Sequence, residues 1–535
     1  MTIELVVDDT GFFAPADVHV AQRLTALAKE TDERVALAVA LVVRALRGGS
    51  VCVDLTSPEM ADLAAAVKAS PLLTGPPALR VDGDLLYLDR YWLEEQQVCD
   101  DIRAMVSARP AEVSSNIDRL FPAGFEEQRA AAEIALSQGL TVLTGGPGTG
   151  KTTTVARLLA MLASGNRLRI ALAAPTGKAA ARLQEAVQLE VGKLSPADGE
   201  ALAGLHATTL HRLLGSRPDT SARFRHNRGN RLPHDVIVVD ETSMVSLTMM
   251  ARLLEAVRPD ARLILVGDPD QLASVEAGAV LADLVDGLGE ARTAALKTSH
   301  RFGKSIGALA SAIRVGDADR AIEVLRAGDE HIEWIDAEDP RQKLRNVLVR
   351  QAIALRTAAI LGDEQAALKV LDEHRLLCAH RRGPFGVTQW NRQVERWLTE
   401  ETGDPIWSSW YAGRPVLVTA NDYGLGLYNG DTGVTVVRDE ALRAVIGDAT
   451  FATSRLADVE TMHAMTIHKS QGSQADEVTV LLPQEDSRLL TRELFYTAVT
   501  RAKERVRVVG SEAALRVAIE RRAVRASGLA QRLRE

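Results

Sequence analysis

The chain has little cysteine: Cys52, Cys99 and Cys378 are the only three in 535 residues. They lie far apart and form neither a CxxC pair nor a zinc spacing. That excludes a disulfide framework and a structural zinc site, and fits reduced thiols in a cytoplasmic protein. Long apolar runs are missing as well. The longest, Val35 to Val43, is too short to cross a bilayer, and no basic stretch follows Met1 as a secretory leader would require. Positive charge is not in excess. The formal net charge of −8 argues against a protein that coats nucleic acid wholesale, while leaving room for a local basic channel. No fixed-period repeat, low-complexity tract or Asp…Glu-x-Lys nuclease cluster is present. With 46% hydrophobic and 25% charged residues the chain reads as globular, and its length predicts about three to four domains.

What is there centres on residues 141–155. Gly145, four residues, then Gly150-Lys151-Thr152 fits the phosphate-loop pattern. A β-type run (Leu140 to Leu143) precedes it, and apolar residues at helical spacing (Val155, Leu158, Leu159, Leu162) follow. Backbone N–H groups of Gly145, Gly146, Pro147, Gly148, Thr149 and Gly150 are expected to surround phosphate, proline excepted, with the helix N-terminus adding positive potential. Lys151 is expected on the β- and γ-phosphates of ATP, and Thr152 on Mg²⁺, with Thr153 completing the loop.

Around this loop the chain divides by rhythm. Residues 1–110 form a separate unit: an amphipathic stretch from Val18 to Leu46, a β-run at Val51–Val53, a hairpin with Asp-Gly at its turn (Leu79 to Leu88), and a closing helix from Tyr91 to Val106. Its Arg90, Tyr91 and Trp92 read as packing residues. Residues 111–302 alternate strands and helices, the pattern of a parallel α/β sheet, broken at 216–233 by a basic stretch with Arg217, Arg223, Arg225, Arg228 and Arg231. That stretch is either a solvated loop or a small hairpin touching DNA. Residues 303–375 read as a helical connector. Residues 376–535 return to α/β, with a strand-rich insert at about 410–450 that resembles a small barrel, and an arginine-rich end expected as a solvated helix.

Further chemistry is legible at strand ends. Val236 to Val239 runs into Asp240 and Glu241, so Asp240 is the second Mg²⁺ anchor and Glu241 the base for the attacking water. Gln271, after the run ending Val266-Gly267-Asp268, is placed to report the γ-phosphate. Arg301 and Arg501 are candidate arginine fingers. Gln128 is expected to clamp an adenine edge.

The ordered set Phe125–Gln128, Gly145–Thr153, Ala174–Ala180, Thr208–Leu214, Asp240–Ser243, Gly267–Gln271, His300–Phe302, Met465–Ser473 and Tyr496–Arg501 resembles the motif series of superfamily-one helicases in the 5′→3′ branch. Within that branch it is similar to the alpha subunits of exodeoxyribonuclease V, the RecBCD enzyme, through Gln271 to Leu281 and through Arg44 to Leu55. Gln474 stands where relatives commonly carry an acid. The resemblance implies two RecA-like P-loop lobes, an N-terminal α/β partner-binding domain and an SH3-like barrel insert in the second lobe. It also implies a DNA-dependent ATPase that uses ATP and Mg²⁺, pulls single-stranded DNA 5′→3′ from duplex ends and acts in double-strand-break repair. RecB and RecC would be its partners in a heterotrimer, and nuclease activity would lie in another subunit; a stand-alone helicase of the same branch is the alternative. Thr176, Thr209, His211, Thr466, His468 and Ser470 would approach the DNA backbone, because hydroxyls and imidazoles bond phosphate without reading bases.

Overall fold

In a computed structural model, residues 12–108, 117–164, 167–217, 220–299, 303–337, 339–422 and 424–535 are described. The N-terminal unit is a three-stranded antiparallel sheet in which β1 (Cys52–Asp54) and β2 (Leu79–Asp82) flank β3 (Leu85–Leu88). The expected amphipathic stretch is two helices, Pro15–Ala28 and Glu33–Arg47. The break is local: Lys29 takes a left-handed φ of 55°, and Asp32 caps the second helix by accepting from the Arg34 N–H at 2.9 Å. The hairpin and the closing helix, Asp89–Ser107, form as read. Of Arg90, Tyr91 and Trp92 only Tyr91 packs, partly buried, against the core of the neighbouring α/β unit; Arg90 is exposed and donates to Thr248 of that unit at 3.3 Å, and Trp92 donates to Asp82 at 3.2 Å.

The first large sheet joins β4 (Leu140–Gly145), β5 (Ile170–Ala174), β6 (Ala207–Thr209), β9 (Val236–Val239), β10 (Arg262–Gly267) and β11 (Thr293–Leu296), in the order β11-β4-β10-β9-β5-β6. Every pairing is parallel. Strands β9 and β10 are buried from end to end, so they read as continuous apolar runs rather than alternating ones. Helices cover both faces and split the core into two clusters, one under Lys151–Ala163 and one under Leu247–Ala256. The basic stretch holds a two-stranded hairpin, β7 (Ser216–Arg217) with β8 (Thr220–Phe224). Arg228 and Arg231 beyond it reach back to Asp101 at 2.8 Å and to the Val257 carbonyl, so they anchor the stretch rather than project from it.

A second parallel sheet comprises β12 (Ile332–Ile335), β13 (His374–Cys378), β19 (Ala464–Thr466), β20 (Ala475–Leu481) and β21 (Ala502–Val509), in the order β12-β21-β20-β13-β19. Strand β12 corrects the reading of 303–375 as helical throughout: four residues suffice for an edge strand when a preformed neighbour, β21, supplies the ladder. Between β13 and β19 the insert forms a five-stranded antiparallel sheet, β14 (Pro415–Val418), β15 (Thr432–Arg438), β16 (Ala441–Ile446), β17 (Ala449–Ala452) and β18 (Val459–Thr461). It closes on its own small core of Val416, Val418, Ala444 and Ile446.

The C-terminal end is not a solvated helix. Residues 521–528 cross from the second lobe to the first. Arg525 donates to the Ser274 carbonyl at 2.5 Å, the Val51 N–H to Ala526 at 2.8 Å, and Ser527 to Glu95 at 2.8 Å. Helix Leu529–Arg534 then packs on Val280–Leu288, with Leu529 fully buried and Arg532 over the rings of Tyr87 and Trp92. Two leucines one turn apart, hidden among arginines, are enough to dock it. No helix among the described residues is long and apolar enough to cross a membrane.

Candidate nucleotide site and nucleic-acid groove

The first-lobe candidates gather at the carboxyl end of the parallel sheet, where ligands of open α/β sheets bind. The loop leaves β4 and opens helix Lys151–Ala163. Gly148 and Gly150 take left-handed φ values of 81° and 86°, which a side chain would strain. Thr149 is buried and donates to the Gly146 carbonyl at 2.9 Å, locking the turn. Lys151 Nζ folds onto the loop, donating to the carbonyls of Gly145 and Gly146 at 2.5 and 3.0 Å. Its ammonium therefore already sits over the ring of N–H groups that would hold phosphate.

A cleft of about 550 Å³ opens in front of the loop, and both lobes line it: Lys151, Thr152, Asp240, Glu241 and Gln271 from the first, Arg501 from the second. Burial, then the adjacent Glu241 charge, raises the Asp240 carboxyl above the usual carboxylate range, while Lys151 opposes the shift. A cation beside Asp240 would relieve that cost. Glu241 holds a left-handed backbone (φ 51°, ψ 40°), a strain of ~1–3 kcal/mol that turns its carboxylate into the cleft. No group of three or more His, Cys, Asp or Glu among the described residues forms a cage. The residues fit a Mg²⁺ shared between Thr152, Asp240 and phosphate oxygens, the usual arrangement for this ion.

Arg501 is only 4% exposed and is pinned across the seam. Its Nε donates to the Thr497 carbonyl at 3.0 Å and its Nη2 to Gln271 Oε1 at 2.8 Å. Gln271 in turn donates to Asp268 Oδ2 at 2.9 Å, and the same oxygen accepts the Tyr496 hydroxyl at 3.2 Å. Two further bonds flank this ring: Leu272 N–H to Thr497 Oγ1 at 2.9 Å, and Gln471 Nε2 to the Leu272 carbonyl at 2.8 Å. Second-lobe residues thus read the turn after β10 directly. Burial lowers the Arg501 pKa, and Glu241 opposes that.

The residues expected at DNA fall on both lobes, Thr176, Thr209 and His211 on the first and Thr466, His468 and Ser470 on the second. Thr176 and Thr209 cap their helices by accepting from Ala179 and Arg212 N–H groups at 3.2 Å each, and Thr466 accepts from Lys469 at 3.3 Å. His211 lies edge-on to Phe224, and burial lowers its pKa, as it does for His468. Both imidazoles are therefore held toward the neutral form, able to donate one hydrogen bond. Ser470 departs from expectation: it is buried, with its hydroxyl donated to the Ile467 carbonyl at 2.7 Å, so it shapes the turn instead of facing a strand. Gln128 departs too. It is buried, its amide 3.5 Å from the Thr149 carbonyl of the loop, and it is not among the residues that line the cleft. Arg301, with His300 and Phe302, lies outside the described residues.

Sequence reasoning gave no place in the cleft to three groups. Arg182, one turn after Lys178, lines the cleft and reaches the second lobe at Gly472. Gln474 lines it from the other side. Tyr496 was quoted only as the start of a motif, yet its hydroxyl stands over Gly146. Helical spacing could have flagged Arg182, whereas Tyr496 is visible only once the lobes are packed.

Comparison with known proteins bears on the whole chain. Residues 9–87 match the family described as the RecBCD enzyme subunit RecD, N-terminal domain; residues 125–337 match an AAA domain; residues 461–509 match a UvrD-like helicase C-terminal domain. A protein named RecBCD enzyme subunit RecD from Mycolicibacterium smegmatis is 75% identical over 539 residues, covering 97% of each chain. The ATP-dependent RecD2 DNA helicase of Deinococcus radiodurans is 33% identical over 480 residues, covering 87% of this chain and 61% of its own. Among solved structures, Bacteroides Pif1 bound to single-stranded DNA is 17% identical with a TM-score of 0.41, covering 72% of this chain and 91% of that one.

Proposed function

This chain belongs to the family of RecD subunits of the RecBCD enzyme, and from that premise we propose that it is the 5′→3′ motor of such a complex. It is a helicase with a P-loop ATP site. In the proposed complex it assembles with RecB and RecC through its N-terminal unit, takes the 5′-ended strand at a duplex end, and serves double-strand-break repair. The second lobe's insert acts as an SH3-like module.

The observation that carries the reading is Arg501. It comes from the second lobe yet stands in the cleft of the first, beside Glu241 and bonded to Gln271. On this reading the loop amides and Lys151 hold the β- and γ-phosphates, and Glu241 orients and deprotonates the attacking water. Arg501 meets the charge that spreads over the transferred phosphoryl group, supported by Arg301. Thr152 and Asp240 would hold Mg²⁺, which would supply neutralisation of the phosphate charge. When the γ-phosphate leaves, Arg501 and Gln271 lose their shared anion, and the ring through Asp268 and Tyr496 lets the lobes part. Thr176, Thr209 and His211 on one lobe, and Thr466 and His468 on the other, alternate their hold on the DNA backbone. The strand advances with each cycle.

Strand displacement on duplexes with a 5′ or a 3′ tail tests this, with the chain alone and co-expressed with RecB and RecC. Unwinding of the 5′-tailed substrate, strongest in the complex, is expected. Unwinding confined to 3′ tails would refute the polarity, and full processivity of the isolated chain would favour a stand-alone helicase.

A further inference from the structure

The expected DNA contacts are hydroxyls and imidazoles. Sequence-tolerant single-strand grooves also need cations that follow the backbone and aromatic faces on which bases stack. The structure supplies both at one point, on a turn that the sequence marks only as a strand connection in the insert. Tyr428-Asn429-Gly430-Asp431, between β14 and β15, is closed by two bonds: Tyr428 N–H to Asp431 Oδ2 at 2.8 Å, and Asp431 N–H to the Tyr428 carbonyl at 3.0 Å. The turn is thus a rigid mount.

Three contacts tie it to both lobes. The Tyr428 ring lies against Gly177 so closely that any side chain there would strike it. The Tyr428 hydroxyl accepts from Arg212 Nη1 at 3.1 Å. Lys469 Nζ donates to Asn429 Oδ1 at 2.6 Å. Each partner adjoins a residue of the proposed groove: Gly177 follows Thr176, Arg212 is capped by Thr209, and Lys469 is capped by Thr466. Tyr428 therefore sits where the two banks meet, half-buried, with Arg212 exposed beside it.

We infer that Tyr428 is the aromatic platform of the groove, on which one base of the bound single strand stacks, while Arg212 and Lys469 flank the phosphates on either side. This rests on the reading of the groove as the DNA path. A base sliding onto the ring exchanges the Gly177 backbone for a π-face, and the guanidinium of Arg212 is already positioned to accompany it.

The test uses the full chain and a short oligothymidine carrying one 2-aminopurine, moved along the strand. Tyr428→Phe keeps the ring and loses the Arg212 bond; Tyr428→Leu keeps apolar cover over Gly177 and loses the π-face. Stacking energies of this kind predict that the leucine variant binds about 5- to 100-fold more weakly, while phenylalanine stays within about twofold. One 2-aminopurine position should be quenched in wild type and Tyr428→Phe but not in Tyr428→Leu. If phenylalanine loses as much affinity as leucine, the hydroxyl bridge between the lobes is what matters and the platform is refuted. Unchanged affinity in both variants refutes it as well. If the wild-type chain does not bind the oligonucleotide, the groove itself falls, and this assignment with it.

Discussion

Two seams hold the lobes against each other, and they are built differently. On the nucleotide side, Arg501, Gln271, Asp268 and Tyr496 form a buried ring whose donors and acceptors are matched. On the strand side, Arg212–Tyr428 is a single contact made by a long, exposed side chain, and the Lys469–Asn429 bond only steadies the turn that carries Tyr428 within the second lobe. In the low dielectric of the first seam, each bond is strong and an unpaired partner is expensive, so the ring has discrete states. The second is screened by salt and readily exchanged for a ligand. A machine that converts hydrolysis into movement needs that asymmetry: one seam that switches and one that slides.

The most disruptive way to break the comparison is to silence the first seam at its source. Lys151→Gln should abolish ATPase, by at least ~10³-fold, while leaving the circular-dichroism spectrum and melting temperature unchanged, because the turns at Gly148 and Gly150 and the Thr149 bond set the loop without it. Insoluble protein would show Lys151 to be structural instead. Next in size, Arg501→Lys keeps the charge but not the fork that spans Thr497 and Gln271. Its kcat should fall by ~10³-fold while nucleotide affinity moves only a few-fold. An equal loss in both would make Arg501 a binding residue and not a transition-state one.

The smallest effect concerns a third tie, the C-terminal strap. Burial first, then the nearby Glu95 and Asp286, push the Asp283 carboxyl up to about 7, against one opposing bond from Ser527. Its Oδ2 has no partner. The folded state thus keeps a proton that the unfolded chain releases near pH 4, and this group's contribution to stability falls as pH rises from there to about 7. Asp283→Asn should raise the melting temperature by a few degrees at pH 8 and change it less at pH 5. Equal shifts at both pH values would mean that the carboxylate carries no such penalty.

How much of this was legible follows from where each signal resides. The phosphate loop and Asp240-Glu241 are contiguous, so strand, turn and helix all agree before any packing is known. Gln128 is buried against the loop, and an amide near the loop in sequence does not reveal that burial. Ser470 is likewise buried, with its hydroxyl bonded to Ile467, which its place in the motif does not reveal. Strand β12 escaped because Ile332–Ile335 has no strength of its own and exists by pairing with β21. The strap escaped because five arginines outweigh two leucines in any local reading of residues 521–534.

By itself, then, the sequence determined the local chemistry: the loop that can cradle phosphate, the acids at the ends of buried strands, and the alternation that makes two parallel sheets. Those depend on neighbours within a few residues, where propensity and periodicity act. The tertiary structure alone decided which groups face one another across the lobes: Arg501 with Gln271, Tyr496 with Asp268, Tyr428 with Arg212 and Gly177. Such pairs are separated by more than two hundred residues, and they come into register only through the burial of side chains between packed sheets and helices.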